Sequence, residues 1–260
     1  MKKLLISDDK TVTKIVHNDD SETAIKTVSS CDTCINDDGT FSVNDVERNK
    51  YSIFISDSAG CYMKCKFCYL TLKDMKFTKV DGASVYDNIC EAVKERIVAQ
   101  ADGDLPHIQD KFVKLCWMGM GDAFVNADKV RITTLSMMNH IMQNSQAIGL
   151  DGVDLSTVMP KVKDVKISLL QFKRLEGWLA DFPLNPHNDV LVHRNAEFGN
   201  MEAVYPNRSR FRIFYSLHSA IQETRDNLIP NAMPIDQAIP ALIEYSEDNK
   251  YNVIFHHMFI

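Results

Sequence analysis

Apolar and polar positions follow two rhythms along this chain, and the rhythm changes near residue 51. Residues 1–50 are polar and broken. Short strand-like pieces at 12–16 and 24–28 are separated by Asn18-Asp19-Asp20, and Asn36-Asp37-Asp38-Gly39 is a turn signal. This part predicts a small β-hairpin appendage. From Tyr51 onward, strand and helix patterns alternate. Residues 51–56 read as a strand that runs into a cysteine-rich loop. Residues 86–101 have helical spacing, with Ile89, Val93, Ile97 and Val98 on one face. Residues 112–120 are continuously apolar, as a buried parallel strand is. A helix is predicted over 126–148, with Val130, Leu135, Met138, Ile141 and Met142 inward. A strand over 153–159, a helix over 165–179 and a strand over 211–219 follow. Residues 239–248 read as a helix with Pro240 in its first turn, where the missing N–H costs least. Residues 252–260 read as the last strand.

Strands alternating with helices argue for a parallel sheet with helices outside, so the predicted class is α/β, a partial (β/α) barrel with a small N-terminal β appendage. Functional residues then sit at the C-terminal ends of the strands. The division expected is an appendage over 1–50 and a barrel over 51–260. Residues 181–210, with Pro183, Pro186 and Pro206, break the rhythm and read as an inserted loop. An open sheet of five strands leaves the last strand's edge unpaired, which is a liability. A partner chain, a second copy or the appendage is expected to cover it.

Composition narrows the class. With 35 acidic against 29 basic residues, net charge gives no sign of nucleic-acid binding, so any RNA contact needs a local basic patch. No apolar run approaches the roughly 20 residues of a membrane span. The N-terminus turns acidic after Leu4-Leu5-Ile6 and lacks a signal-peptide core. The chain therefore reads as cytoplasmic. In a reducing compartment its seven cysteines read as ligands or buried thiols rather than disulfides.

The densest chemistry is Cys61-Tyr62-Met63-Lys64-Cys65-Lys66-Phe67-Cys68. At this chain's cysteine content the spacing C-x3-C-x2-C is expected by chance only roughly 0.005 times. Three soft thiolates on one loop suit a 4Fe-4S cluster, and three rather than four ligands leave one iron open. Buried thiols and a zinc site are the alternatives.

That loop, with an aromatic before its last cysteine, resembles the signature of the radical SAM superfamily. Four further segments resemble its RlmN/Cfr-type branch of rRNA adenine-C2 methyltransferases. They are Met118-Gly119-Met120-Gly121-Asp122-Ala123-Phe124-Val125-Asn126, Asp154-Leu155-Ser156-Thr157-Val158, Tyr215-Ser216-Leu217-His218-Ser219-Ala220 with Arg225 to Pro230 after it, and Phe255 to Ile260. The resemblance covers about residues 51–260, in the right order.

The resemblance implies an enzyme that reductively cleaves S-adenosylmethionine at a 4Fe-4S cluster on Cys61, Cys65 and Cys68. It implies cofactor contacts at Gly121, Asp122, Ser156, Ser216, Leu217 and His218. It also implies a structured RNA substrate, rRNA or tRNA, and an electron donor such as flavodoxin. Glycines 119 and 121 at a strand's end read physically as places where backbone approaches a ligand closely. Ser216 and His218 also read as a polar barrel interior satisfied by internal hydrogen bonds.

The chain departs from the branch where the methyl-transfer chemistry would reside. Phe54 stands seven residues before Cys61, where the family has a second cysteine. The best match to its acid/base segment is Ile25-Lys26-Thr27-Val28, which puts Lys26 in the acid's position; Val12-Thr13-Lys14-Ile15 is an alternative, also without an acid. The segment bearing its methyl-carrying cysteine is not seen by Ile260. Two expectations therefore compete, a methyltransferase piece and a diverged radical SAM enzyme with another substrate. A non-catalytic RNA- or ribosome-binding relative is a third. Cys31 and Cys34 form a C-x2-C without two further obvious ligands, and Cys90 and Cys116 read as core. Lysines 64, 66, 73, 76 and 79, lysines 161, 163 and 166, and arginines 208, 210 and 212 flank the motifs. They read either as a solvated face or as phosphate contacts, with Tyr62, Tyr69 and Phe77 able to stack on a base.

Overall fold

The computed structural model describes residues 1–35, 41–105, 112–144, 149–163, 165–180, 211–247 and 252–256. The inserted loop expected at 181–210, the turn at 36–39, and Arg208 and Arg210 lie outside them. Ten strands and six helices are described. In chain order they are β1 (Lys3–Ile6), β2 (Val12–Val16), β3 (Glu22–Ile35), β4 (Phe41–Ile55), β5 (Ser58–Ala59), α1 (Tyr69–Leu72), β6 (Thr78–Lys79) and α2 (Gly82–Ala101). Next come β7 (Phe112–Trp117), α3 (Ala127–Asn144), β8 (Gly149–Thr157), α4 (Val165–Ala180), β9 (Phe211–Ser216), α5 (Gln222–Leu228), α6 (Ile235–Ser246) and β10 (Val253–His256).

Eight strands form one sheet in the order β1-β2-β3-β4-β7-β8-β9-β10, and β5 pairs with β6 separately. β4, β7, β8, β9 and β10 run parallel. β1 to β4 pair antiparallel. This is the expected α/β architecture, with a mostly parallel sheet. The strands before residue 50 join that sheet, because β4 runs through this position from Phe41 to Ile55. They pair on the β4 side, so they do not cover β10 at the opposite edge.

The period of two explains which face is covered. Ile53, Ile55, Leu115, Trp117, Val153, Leu155, Phe211, Ile213 and Tyr215 alternate along their strands, are all buried, and share one core with the apolar stripes of α2, α3, α4 and α6. Each such burial contributes about 1.5–3 kcal/mol. On the opposite face Phe54, Lys114, Ser156, Arg212 and Phe214 are only half-buried.

Two expectations are corrected. In α2 the buried stripe is Val85, Ile89, Ala92, Arg96 and Ala99, whereas Ile97 and Val98 are exposed. Arg96 takes the inward position because its guanidinium donates to Thr13 at 3.0 Å and Thr27 at 2.7 Å and lies over the Tyr51 ring. Pro240 is inside α6, not in its first turn, because the helix starts a turn early, directly after Pro234. Among the described residues no helix is long and apolar enough to cross a membrane.

Candidate functional site

The cysteine loop leaves the C-terminal end of β4, as expected for a parallel sheet. Gly60 precedes it at φ +67, and a Cβ there would lie 2.5 Å from the Lys76 carbonyl oxygen, so only glycine passes. The loop then folds on itself. Cys68 N–H donates to Cys65 O, Thr71 and Leu72 N–H donate to Cys68 O, and Lys66 N–H donates to Leu228 O at 2.9 Å. Met63 N–H points at Cys61 Sγ, 3.4 Å away.

The thiols sit in an apolar pocket. Met63, Cys65, Ile229 and Ala232 are buried together, with Cys61, Phe67, Cys68, Val125, Val158 and Leu228 packed around them. Burial first pushes the Cys61 and Cys65 thiols up to about 12, helped by Asp122, Asp57 and Cys68 at Cys61 and by Cys61, Cys68 and Asp122 at Cys65. These sulfurs stay protonated unless a cation displaces the proton. Three soft donors in a water-poor setting suit iron–sulfur ligation. Among the described residues no three His, Cys, Asp or Glu groups surround a single ion. A cubane does not require that, since each thiolate takes its own iron.

Sequence distance closes around this loop. The Phe67 ring meets the His218 imidazole edge-on with centroids 4.8 Å apart. Ser216 is buried at the end of β9, Leu217 is half-buried, and Leu217 N–H donates to His256 O. Ser156 is half-buried on β8, on the face opposite α2, α3, α4 and α6.

Gly119 and Gly121 leave no room for a side chain. A Cβ on Gly119 would lie 2.6 Å from Ser56 Oγ, and one on Gly121, at φ +99, would lie 1.5 Å from Asp57 Oδ1. The glycines let this loop press onto the end of β4. Backbone bonds Gly119 N–H to Ile55 O and Asp57 N–H to Met120 O lace the two together at 3.0 Å each.

Asp122 is buried with both carboxylate oxygens engaged. Phe124 N–H donates to Oδ1 at 3.0 Å and Val158 N–H to Oδ2 at 2.9 Å, and the Thr157 hydroxyl reaches both oxygens. Burial pushes its carboxyl up to about 6 despite these donors. Asp122 thus ties the loop after β7 to the end of β8.

Three residues outside the predicted set of site residues complete the surroundings. Asp57, buried beneath the loop, accepts from Asn126 at 3.3 Å, with the Lys129 ammonium 4.0 Å away. Burial pushes its carboxyl up while Lys129 holds it down. Lys129 also donates to the Asp57 carbonyl and to Val80 O. Arg225, fully buried, donates to Leu217 O at 3.1 Å, Met233 O at 3.1 Å and Val158 O at 2.7 Å, and lies over the Tyr215 ring. It binds the ends of β8 and β9 to the segment between α5 and α6. Only Arg225 had a visible cue, its five-residue spacing from Pro230.

Lys26 is exposed on β3, opposite Ser52 of β4. Phe54 pairs with Cys116 of β7 and Ala24 of β3. Lysines 64, 66, 73, 76 and 79 are exposed around the loop, as are lysines 161, 163 and 166. Tyr69 is 64% exposed with the Lys73 ammonium over its ring, and Tyr62 packs edge-on against Phe77.

No family model matches the chain. Curated relatives include the dual-specificity RNA methyltransferases RlmN of Bradyrhizobium sp. strain BTAi1 and of Nitrobacter winogradskyi. Each is 23% identical over 221 residues and covers 82% of this chain, but 43% and 44% of those proteins respectively. The RlmN of Desulfotalea psychrophila is 23% identical over 217 residues, covering 82% of this chain and 48% of that protein. The chain spans less than half the length of these relatives. A crystal structure of a radical SAM methyltransferase from Sphaerobacter thermophilus shares the fold, with TM-score 0.55 and 15% identity over 98% of this chain and 56% of that one. At this low identity the chain is similar to RlmN dual-specificity RNA methyltransferases, and it shares the fold of a radical SAM methyltransferase.

Proposed function

We propose that this chain is a radical SAM enzyme whose 4Fe-4S cluster is held by Cys61, Cys65 and Cys68. The observation that carries the reading is the apolar cysteine loop at the end of β4, pinned by Leu228 and Phe67–His218 to the far side of the sheet. When bound, the cluster supplies the electron for reductive cleavage of S-adenosylmethionine at its open iron. The chain's own residues orient and exclude. The pocket around Met63 and Ile229 keeps water from the thiolates. Ser156, Ser216 to His218 and the backbone at Gly121 line the side on which the cofactor is held. Asp122 acts there mainly by fixing the loop, since both its oxygens are already engaged.

Anaerobic reconstitution with iron and sulfide, then dithionite and S-adenosylmethionine, yields 5′-deoxyadenosine from the wild type and none from Cys65→Ala. Iron-loaded wild type that forms no 5′-deoxyadenosine would overturn the reading.

RNA adenine methylation is the substrate class that the RlmN relatives support, with the exposed lysines and Tyr69 beside the loop as the RNA-facing surface. A flavodoxin-like donor would dock on the same collar. A second reading, a diverged enzyme with another substrate, is favoured by Phe54 and Lys26. Neither side chain can replace the thiol or the acid found at those positions in the branch it resembles. Incubation with rRNA and with tRNA, scored for 2-methyladenosine, separates the two readings.

A further inference from the structure

Beneath the cysteine loop lies a charged pair with no place among the expected cofactor contacts. Asp57 follows the end of β4, and Lys129 stands in the first turn of α3. Their side chains are 4% and 15% exposed, with the ammonium 4.0 Å from Asp57 Oδ2. The surroundings fix the charges. Asn126 Nδ2 at 3.3 Å, the Asp122 N–H and the Lys129 ammonium all present protons to the Asp57 carboxylate. Lys129 in turn donates to two carbonyl oxygens, Asp57 O and Val80 O. These are the partners of an ionised pair.

Holding the loop does not require charge. The same junction is laced by neutral bonds, Gly119 N–H to Ile55 O, Asp57 N–H to Met120 O and Met120 N–H to Ser56 Oγ, each at 3.0 Å. A buried ion pair costs desolvation that such bonds avoid. What it adds is a charge fixed beside the cysteines. The Ser58 hydroxyl lies 3.2 Å from Asp57 Oδ1 and 3.0 Å from the carbonyl oxygen of Gly60, the residue before Cys61. The backbone from Asp57 to Cys61 spans at most about 14 Å. Beyond burial, Asp122 and Asp57 both disfavour negative charge on the Cys61 sulfur. A cluster that gains an electron gains negative charge, and a carboxylate nearby opposes that gain.

We propose that Asp57, paired with Lys129, acts on the cluster from outside its ligand set, as a fixed negative charge that lowers its reduction potential. The inference rests on the reading of Cys61, Cys65 and Cys68 as cluster ligands. A lower potential makes the reduced cluster a stronger donor to S-adenosylmethionine, and it demands a stronger donor to the cluster. The step concerned is the gain of one electron, supplied in the test by dithionite. Asp122 also acts on Cys61, and Asp81 and Lys79 act on Lys129; all three stay in place when Asp57 alone is changed.

The full chain is reconstituted anaerobically and titrated with dithionite at pH 8, the reduced cluster being read by electron paramagnetic resonance. At a fixed potential, Asp57→Asn raises the ratio of reduced to oxidised cluster about tenfold, as one unit charge at this distance does in a protein interior. That ratio corresponds to about 59 mV for one electron. Asp57→Ser, which removes the charge and the bulk against Gly121, does the same should Asp57→Asn retain too little iron. Ser56→Ala removes the Oγ that accepts from Met120 N–H and donates to Glu22 O. It loosens the same junction without touching a charge and leaves the ratio unchanged.

A ratio unchanged in the Asp57 variants, or raised equally by Ser56→Ala, overturns the inference. Loss of the cluster from both Asp57 variants assigns Asp57 to holding the loop and overturns it too. Wild type that binds no iron sinks the cluster reading and this inference with it. Wild type that forms 5′-deoxyadenosine, with no shift in the variants, sinks the inference alone. A cluster that shifts as described but forms no 5′-deoxyadenosine sinks the cleavage reading alone.

Discussion

His218 holds a left-handed backbone, φ 59, and its imidazole stands edge-on to Phe67 at 4.8 Å. A non-glycine residue in that conformation costs about 1 kcal/mol, so the contact offsets local strain while joining the cysteine loop to the end of β9. Phe67→Ala is expected to lower stability by about 1–2 kcal/mol, read from the urea midpoint, and to reduce iron retained after desalting. His218→Phe keeps the ring pair and retains more iron than Phe67→Ala. Equal iron in the wild type and Phe67→Ala would show that the loop is held without this contact.

Arg225 serves three carbonyls from a fully buried position. Arg225→Met leaves those oxygens without their donor and is expected to cost about 3–5 kcal/mol. Arg225→Lys keeps the charge but not the fork, and recovers only part of the loss. Chemical denaturation of the three proteins side by side checks the order, and an Arg225→Met midpoint equal to wild type would refute it.

Much of the sheet could be read in advance, because β7, β8 and β9 bury one whole face and their apolar content shows this locally. The cysteine loop was legible for a different reason, since its spacing is improbable by chance. The N-terminal strands were harder. Their inward positions include Thr13, His17 and Thr23, which are buried but polar and satisfied by α2 and one another, as in His17 with Glu91 and Thr23. Hydropathy does not register such positions. Asp57 with Lys129, and Lys114 with Asp154 and Arg212, were invisible because each joins separate elements and leaves no local pattern. The motif glycines were found, and the structure adds that they let this loop pack closely against Ser56 and Asp57.

Asp122 carries a pH signature. Its folded-state value is raised to about 6 from 3.8, so the native state binds its proton more tightly than the unfolded chain does. Stability from this group is fully present below about pH 4, declines as pH rises toward 6, and is level above that. The decline amounts to about 3 kcal/mol, with Asp57 acting in the same direction. Urea midpoints of wild type and Asp122→Asn between pH 4 and 7 give the difference. The variant should fall less steeply, and parallel profiles would remove Asp122 as the source.

Two glycine substitutions should act in opposite directions. Gly121→Ala drives a Cβ to 1.5 Å from Asp57 Oδ1 at φ +99 and is expected to cost more than about 3 kcal/mol, or to prevent folding. Gly177→Ala, inside α4 with nothing within 4 Å, should stabilise by about 0.5–1 kcal/mol. Thermal melts read both, and a tolerated Gly121→Ala would contradict the close approach of this loop to β4.

From β4 onward the main sheet is laid down in the order of translation, each new strand adding to the same growing edge. The cysteines follow β4, yet the groups that pin them, Leu228 and His218, belong to the far end of the row. A nascent chain therefore presents its thiols on a loop not yet tied to β9 while β7 to β10 are still to be made. Pairing of distant strands is the slow part of assembling such a fold. If the proposed cluster is loaded on these cysteines, the interval between the two is when a metal carrier would reach sulfurs that the folded protein keeps half-buried or buried.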